Sequence, residues 1–382
     1  MRARGIAGAG CAREVPCTVQ PSTASDIVAR RLHAQRLIGE PFASALDAVR
    51  WLGAVQAQDY AGATWALGQR TREATAAQID RLFDAGALVR THVLRPTWHV
   101  ALPEDIRWLL ALTGPRVRRG LAPRWRQLEI DEHVVARANA AFGAALVGGR
   151  YRTRPELGQV LRAAGIAPDG QRLPHLLMGA ELDGLIVSGP RRGKQFTYAL
   201  LDERAPAARA LDRTEAVAEL TRRYFQSHGP AQVQDFVWWS GLTMADARTG
   251  LSLAGGVLDK REIDGVTYWF DAAAGPAVDA RTVAHLLPNF DEYTVAYRDR
   301  MALVHADRPF EPALFSFGSI LSNVVTVGGR VRGAWRRSVT RGVVRVDVRL
   351  LDQLAPDEEA AVEEARHRLH CFLESPVTLS WG

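Results

Sequence analysis

The sequence predicts an α+β fold, mainly helical, in which one supersecondary unit recurs three times ahead of a strand-rich C-terminal module. Three observations carry this. Apolar residues recur at helical spacing through most of the first 250 residues. Each group of helical stretches is followed by two short alternating stretches joined by a Gly- or Pro-marked turn. Beyond residue 284 the pattern changes to strand-like runs such as VVTVGG and GVVRVDVRLL. With 382 residues, 47% hydrophobic and 24% charged, the chain has ordinary globular composition and room for two to four modules.

Residues 1–25, MRARGIAGAGCAREVPCTVQPSTAS, lack a continuous apolar run and read as a disordered leader, not a signal peptide, which points to the cytoplasm. The first unit, 26–150, opens with the helical patterns DIVARRLHAQRL and FASALDAVRWLGAV. It continues with AAQIDRLFDAG, a helix ended by Gly86, and with ALVRTHV and TWHVAL, a hairpin turning at Leu94-Arg95-Pro96. The rest of this unit is a basic helical extension. The second unit, 151–205, has the helices RPELGQVLRAAG, with Pro155 in its first turn, and RLPHLLMGAELDG, then the two-stranded wing LIVSGPRRGKQFTYAL. The third, 206–283, runs from EAVAELTRRYFQSHGP through VQDFVWWSGLTMADARTGLSLAGG to the strands VLDKREID and GVTYWFD. Helix, turn, helix and wing make a winged helix, so three tandem winged-helix motifs are expected. Residues 284–382 form the C-terminal α+β module, with one helix in DEEAAVEEARHRLHCFLE and a closing strand VTLSW.

No run approaches the roughly 18–20 apolar residues that span a bilayer. Three cysteines, Cys11, Cys17 and Cys371, fit neither a disulfide framework nor a zinc site, so no metal and no cofactor are expected. The net charge of +6 is asymmetric. Residues 1–200 carry 27 Arg+Lys against 17 Asp+Glu, and the remainder is net acidic. Within 116-RVRRGLAPRWR-126, Arg116, Arg118 and Arg119 precede Trp125, a composition suited to phosphate with a stacking ring; a solvated helix face has the same composition. The wing tip GPRRGK adds Arg191, Arg192 and Lys194.

Where the second helix runs out stands LGAVQAQDY, with Gln56 and Gln58 two residues apart. In extended backbone, positions i and i+2 point the same way, so the two amides face one cavity and Ala57 the core. Glutamine takes no proton at neutral pH, so such a pair orients and stabilises charge instead of acting as a base. Asp59 is the nearest carboxylate and a third candidate for catalysis. In the hairpin RTHVLRPTWHV, one side is polar, as half-buried hairpins often are. VWWSG at 237–241 reads as core and turn more than as a base-stacking platform, and Asp291-Glu292, adjacent carboxylates of a kind that suits metal binding or acid/base work, reads as a structural pair with Arg298 and Arg300 as partners.

Several strings together, VQAQ, THVLRPTWHVALPEDIRWLL, VQDFVWWSGLTMADAR and LPNFDEYTVAYRDR, resemble the bacterial winged-helix family of AlkZ/YcaQ-like DNA glycosylases, from about Asp26 to Gly382. The resemblance implies a C-shaped DNA channel with a Gln-apolar-Gln motif at its centre, here Gln56 and Gln58, and excision of N7-alkylated guanines, including bulky antibiotic adducts and interstrand crosslinks. Some members protect producers of DNA-alkylating antibiotics. Arg95, Thr97 and His99 become candidates for contacting the DNA backbone beside the site. The stretch 328-GGRVRGAWRR-337, with Arg330 and Arg332, becomes the candidate hairpin for probing the minor groove. An N7-alkylated guanine is already cationic and leaves as a neutral base, so two amides that hold a water and face the oxocarbenium-like sugar suffice. The expected partner is double-stranded DNA carrying alkylated guanine, bound by a monomer in the cytoplasm at the nucleoid. A non-catalytic winged-helix regulator is the alternative; such regulators dimerise on two-fold sites, and no heptad or dimerisation helix is present. A purely structural module leaves the basic half unexplained.

Overall fold

The computed structural model describes residues 24–274, 280–304 and 323–382. The expected leader lies outside the described residues except for its last two, which open the first helix. Residues 24–101 form α1 (Ala24–Ala34), α2 (Ala45–Leu52), β1 (Val55–Gln56), α3 (Tyr60–Gly68), α4 (Ala76–Ala85), β2 (Val89–His92) and β3 (Trp98–Ala101). Caps fix the boundaries. Ser44 caps α2, Thr75 and Gln78 form a capping box on α4, and Gly86 ends α4 in the left-handed region. The short α3 is not expected from sequence. Its pattern YAGATWALG is apolar on all sides and Gly62 through Leu67 are all buried, so it has no amphipathic period to read.

A 22-residue helix α5 (Ile106–Gln127), containing Pro115 and Pro123, leads to α6 (Glu132–Leu146), β4 (Arg152–Thr153), α7 (Arg154–Ala163), α8 (Arg172–Leu182), β5 (Ile186–Ser188) and β6 (Thr197–Leu200). Then come α9 (Leu201–Arg204), α10 (Arg213–His228), α11 (Val233–Ser240), α12 (Met244–Ala254), β7 (Leu258–Ile263) and β8 (Val266–Asp271). The same topology appears three times. Sheet orders β1-β3-β2 and β4-β6-β5 match, and in the third unit Ala231 bridges Trp269 of β8 in the position of the short first strand.

The C-terminal sheet has the order β13-β12-β11-β10-β9, formed by β9 (Ala284–Leu287), β10 (Val324–Val327), β11 (Arg330–Thr340), β12 (Val343–Leu350) and β13 (Val377–Trp381). Only β12 and β13 are parallel, joined by α14 (Pro356–Leu373); a four-residue helix, α13 (Glu292–Val295), follows β9. This sheet shares one core with the first unit. Val49, Leu52, Ile79 and Phe83 pack in the same cluster as Val346, Val348, Leu369 and Phe372. A second cluster joins Leu94, Trp108 and Leu109 to Tyr224, Phe236 and Trp239, so the hairpin turn of the first unit rests on the third. Each such buried side chain contributes about 1.5–3 kcal/mol, and the two junctions hold the site between them.

The expected hairpin at 328–337 is corrected. Gly328-Gly329 is the tight turn between β10 and β11, and it is packed inward: a Cβ on Gly329 would lie 2.5 Å from Val28 and 2.6 Å from the Tyr293 hydroxyl. Arg330 donates to Val304 O, Arg332 is buried against Asp352 and Glu358, and Trp335 is buried with its indole N–H on Leu287 O. At the next turn, between β11 and β12, Arg341 is exposed, as are Arg336 and Arg337 on β11.

Candidate active site

Gly53, at φ +81°, ends α2 and lets the chain extend into β1, where Gln56 pairs with His99 of β3. Gln56 is buried. Its backbone N–H donates to Glu292 Oε1 at 2.7 Å, and its side-chain Oε1 accepts from Arg95 Nη2 at 2.7 Å. Ala57 is fully buried, as expected; its N–H bonds Trp98 O and its carbonyl accepts from Arg90 Nε at 3.0 Å. Gln58 is exposed, and among the described residues its side chain makes no hydrogen bond. Asp59 caps α3, accepting from Gly62 N–H at 3.1 Å, which engages its carboxylate in the helix start.

Beneath Gln56 the presumed structural pair divides. Asp291 forms a buried two-point ion pair with Arg70, at 2.7 and 2.9 Å. Glu292, fully buried, accepts from Gln56 N–H and from Trp239 Nε1 at 2.8 Å, with His228 Nε2 3.4 Å away. Burial alone would raise the Glu292 carboxyl, but His228 and the Gln56 N–H outweigh it and hold the carboxyl below its usual range. Neither Arg298 nor Arg300 is the partner. Sequence spacing pointed to near neighbours, whereas the partners lie about 50 to more than 200 residues away.

His99 is fully buried with Nδ1 on Thr97 O at 3.0 Å; burial first, then the Arg95 cation, push it down to about 3, so it is neutral. Its Nε2, Thr97 Oγ1 and Arg95 Nε, all on the β2–β3 hairpin, are buried polar atoms without a hydrogen-bond partner in the structure. Buried polar groups are ordinarily paired, so these atoms leave hydrogen-bonding capacity on the hairpin for water or a polar ligand. Among the described residues no group of three His, Cys, Asp or Glu side chains is disposed to hold a metal.

The family model for AlkZ-like DNA glycosylases matches residues 49–372, which includes every residue of this arrangement. The chain belongs to that family. A curated relative, the interstrand DNA cross-link repair glycosylase of Streptomyces sahachiroi, is 25% identical over 374 residues, covering 89% of this chain and 94% of the relative. The solved structure of the Streptomyces sahachiroi DNA glycosylase AlkZ superposes with a TM-score of 0.76 at 22% identity, over 94% of this chain and all of that one. The mixed α/β fold is therefore that of AlkZ, and the chain is a DNA glycosylase, a DNA-repair enzyme that hydrolyses the N-glycosidic bond and binds DNA.

Of the two lysines in this AlkZ-like enzyme, Lys194 lies in the turn between β5 and β6 and Lys260 on β7. Other basic residues are redistributed from what the sequence suggested. On α5, Arg116 and Arg119 are exposed, but Arg118 is paired with Asp183. Trp125 is buried with its N–H on His175, so it offers no stacking ring. Arg191 bonds Asp80 and Asp84, and Arg192 bonds Glu156, so the segment between β5 and β6 is fastened to α4 and α7; Lys194 stays exposed. One residue of a segment the sequence assigned to the core stands differently, Trp238. It sits in VWWSG, taken as core, yet it is 43% exposed, while Trp239 beside it is fully buried. Its signal was the doubled tryptophan, because adjacent helical positions cannot both face one core.

Proposed function

We propose that this enzyme excises cationic N7-alkylated purines from double-stranded DNA by Gln-oriented water attack on the sugar. Supporting this is the arrangement at residues 56–58: Gln56 is held rigid from both ends while Gln58, two residues on, is exposed and unengaged. A carbonyl oxygen has two lone pairs, so the Arg95 bond fixes the Gln56 amide and leaves it one further acceptor site. A departing cationic base needs no proton donor, and the site supplies none: His99 is neutral and Asp59 caps a helix. One preorganised dipole aimed at the sugar cation is worth about 3 kcal/mol.

The three repeated units are read as winged helices surrounding a concave basic channel. Arg95 and Thr97 border the site, and Arg116, Arg119, Lys194 and the β11–β12 turn reach phosphates. His99 supports the site from beneath. The protein acts as a monomer on the chromosome, in the cytoplasm. Bulky adducts or crosslinks are favoured by the relative named for interstrand cross-link repair. Incubation with a duplex bearing a single N7-methylguanine should yield an alkali-labile abasic site at that position and none in the undamaged duplex; an intact duplex after prolonged single-turnover incubation would refute the reading.

A further inference from the structure

Trp238 is one of ten tryptophans, and of these only Trp238 and Trp381, on the terminal strand β13, are exposed. The indole of Trp238 is nevertheless fixed. Its Nε1–H donates to Val295 O at 3.1 Å, the last residue of α13, whose first residue is the Glu292 that accepts from Gln56 N–H. One four-residue helix thus supports both the exposed ring and the glutamine. Two guanidiniums border the ring, Arg300 at 5.5 Å and Arg95 at 5.9 Å from its centre, and Arg95 is the residue bonded to the Gln56 amide. Both stand over the ring, but at separations well beyond the 3.8 Å at which Arg31 lies on Tyr297, and the side chain stays exposed to solvent.

The approach of the two walls is built into the backbone. Gly241, at φ +70°, ends α11, and a Cβ there would fall 2.6 Å from Leu94 O, so only glycine lets the Leu94-Arg95 turn close on the helix that carries Trp238. Leu94 itself is held at φ +63°, a conformation unfavourable for a non-glycine residue that persists only where its surroundings enforce it.

We propose that Trp238 is the stacking platform for the base to be excised: the planar alkylated purine, turned out of the duplex, lies on the exposed indole while the glutamines address its sugar. Enzymes acting on a base must extrude it and commonly hold it against an aromatic ring. A cationic purine gains further from the indole π-face. This rests on the reading of Gln56 and Gln58 given above.

The test compares wild type, Trp238→Phe and Trp238→Leu on two duplexes of one sequence, undamaged and bearing a single N7-methylguanine. Single-turnover excision is followed against enzyme concentration, with thermal unfolding as a control. Leucine keeps an apolar side chain without the π-face. Trp238→Leu should raise half-saturation on the damaged duplex about tenfold and leave affinity for the undamaged one nearly unchanged, while Trp238→Phe restores most of the loss. Excision by Trp238→Leu at wild-type half-saturation, or equal weakening on both duplexes, would overturn the inference and leave the glutamine reading standing. A wild-type enzyme that leaves N7-methylguanine in place would overturn both.

Discussion

Gln56 and Gln58 differ in what holds them, and their substitutions should differ accordingly. Gln58 is exposed with no hydrogen bond among the described residues, so Gln58→Ala should lower single-turnover excision by on the order of 10² with duplex affinity nearly unchanged, because dipoles aimed at a transition state add little to ground-state binding. Gln56→Ala removes the acceptor of Arg95 as well, leaving a half-buried cation short of a partner; stability should fall by about 1–3 kcal/mol in a denaturant melt alongside the loss of rate. Wild-type excision by Gln58→Ala, with loss in Asp59→Asn, would make the carboxylate the base and the amides bystanders. Gly241→Ala tests the same geometry from the far wall. The added methyl meets Leu94 O, so the turn bearing Arg95 must retreat, and excision should fall.

At the scale of elements, the β11–β12 turn and α5 offer separable roles. Replacing Arg337 and Arg341 together by alanine should flatten the slope of log affinity against log salt by about two, if each contacts a phosphate. Arg332→Ala should leave that slope alone and destabilise the sheet, since it removes the cation that pairs with both Asp352 and Glu358. These paired outcomes reflect what a sequence can disclose. Helices such as α4, α7 and α14 and the wings β2–β3 and β5–β6 were legible because caps, turns and periodicity are local properties. The uniformly apolar α3 was not, and a glycine pair was mistaken for a projecting tip because Gly328-Gly329 signals a turn without saying whether the turn faces water or core. At the site, Gln56 and Gln58 were visible as a motif. Glu292 was visible only as a structural carboxylate and His228 not at all, since the contacts that join Glu292 to Gln56 and to His228 span much of the chain.

Across the whole molecule, buried polar groups sit at the junctions between units, and their titration should decide its acid stability. His99 lies on β3 beneath the site, and His285 on β9 donates from Nε2 to Leu37 O at 2.8 Å, tying the C-terminal sheet to the loop after α1. Burial is the main cause in both, assisted by Arg95 for His99 and by Arg368 for His285, and each is pushed down to about 3 from an ordinary value near 6.5. The sign follows from which state binds the proton. As pH falls through 6.5 the unfolded chain protonates these two histidines and the folded protein does not, so unfolding is favoured progressively until about pH 3. Each can contribute up to about 1.4 kcal/mol per pH unit across that window. Denaturant melts at pH 7.5, 6 and 5 should therefore show a stable plateau above neutrality and a steep decline below it, sensed together by probes in the first unit and the C-terminal sheet because those share a core. His285→Gln, which keeps a donor for Leu37 O and cannot be protonated, should shallow the decline by about one proton's worth. A slope unaffected by that change would assign the acid sensitivity to other groups and remove His285 from the account of how the sheet is held.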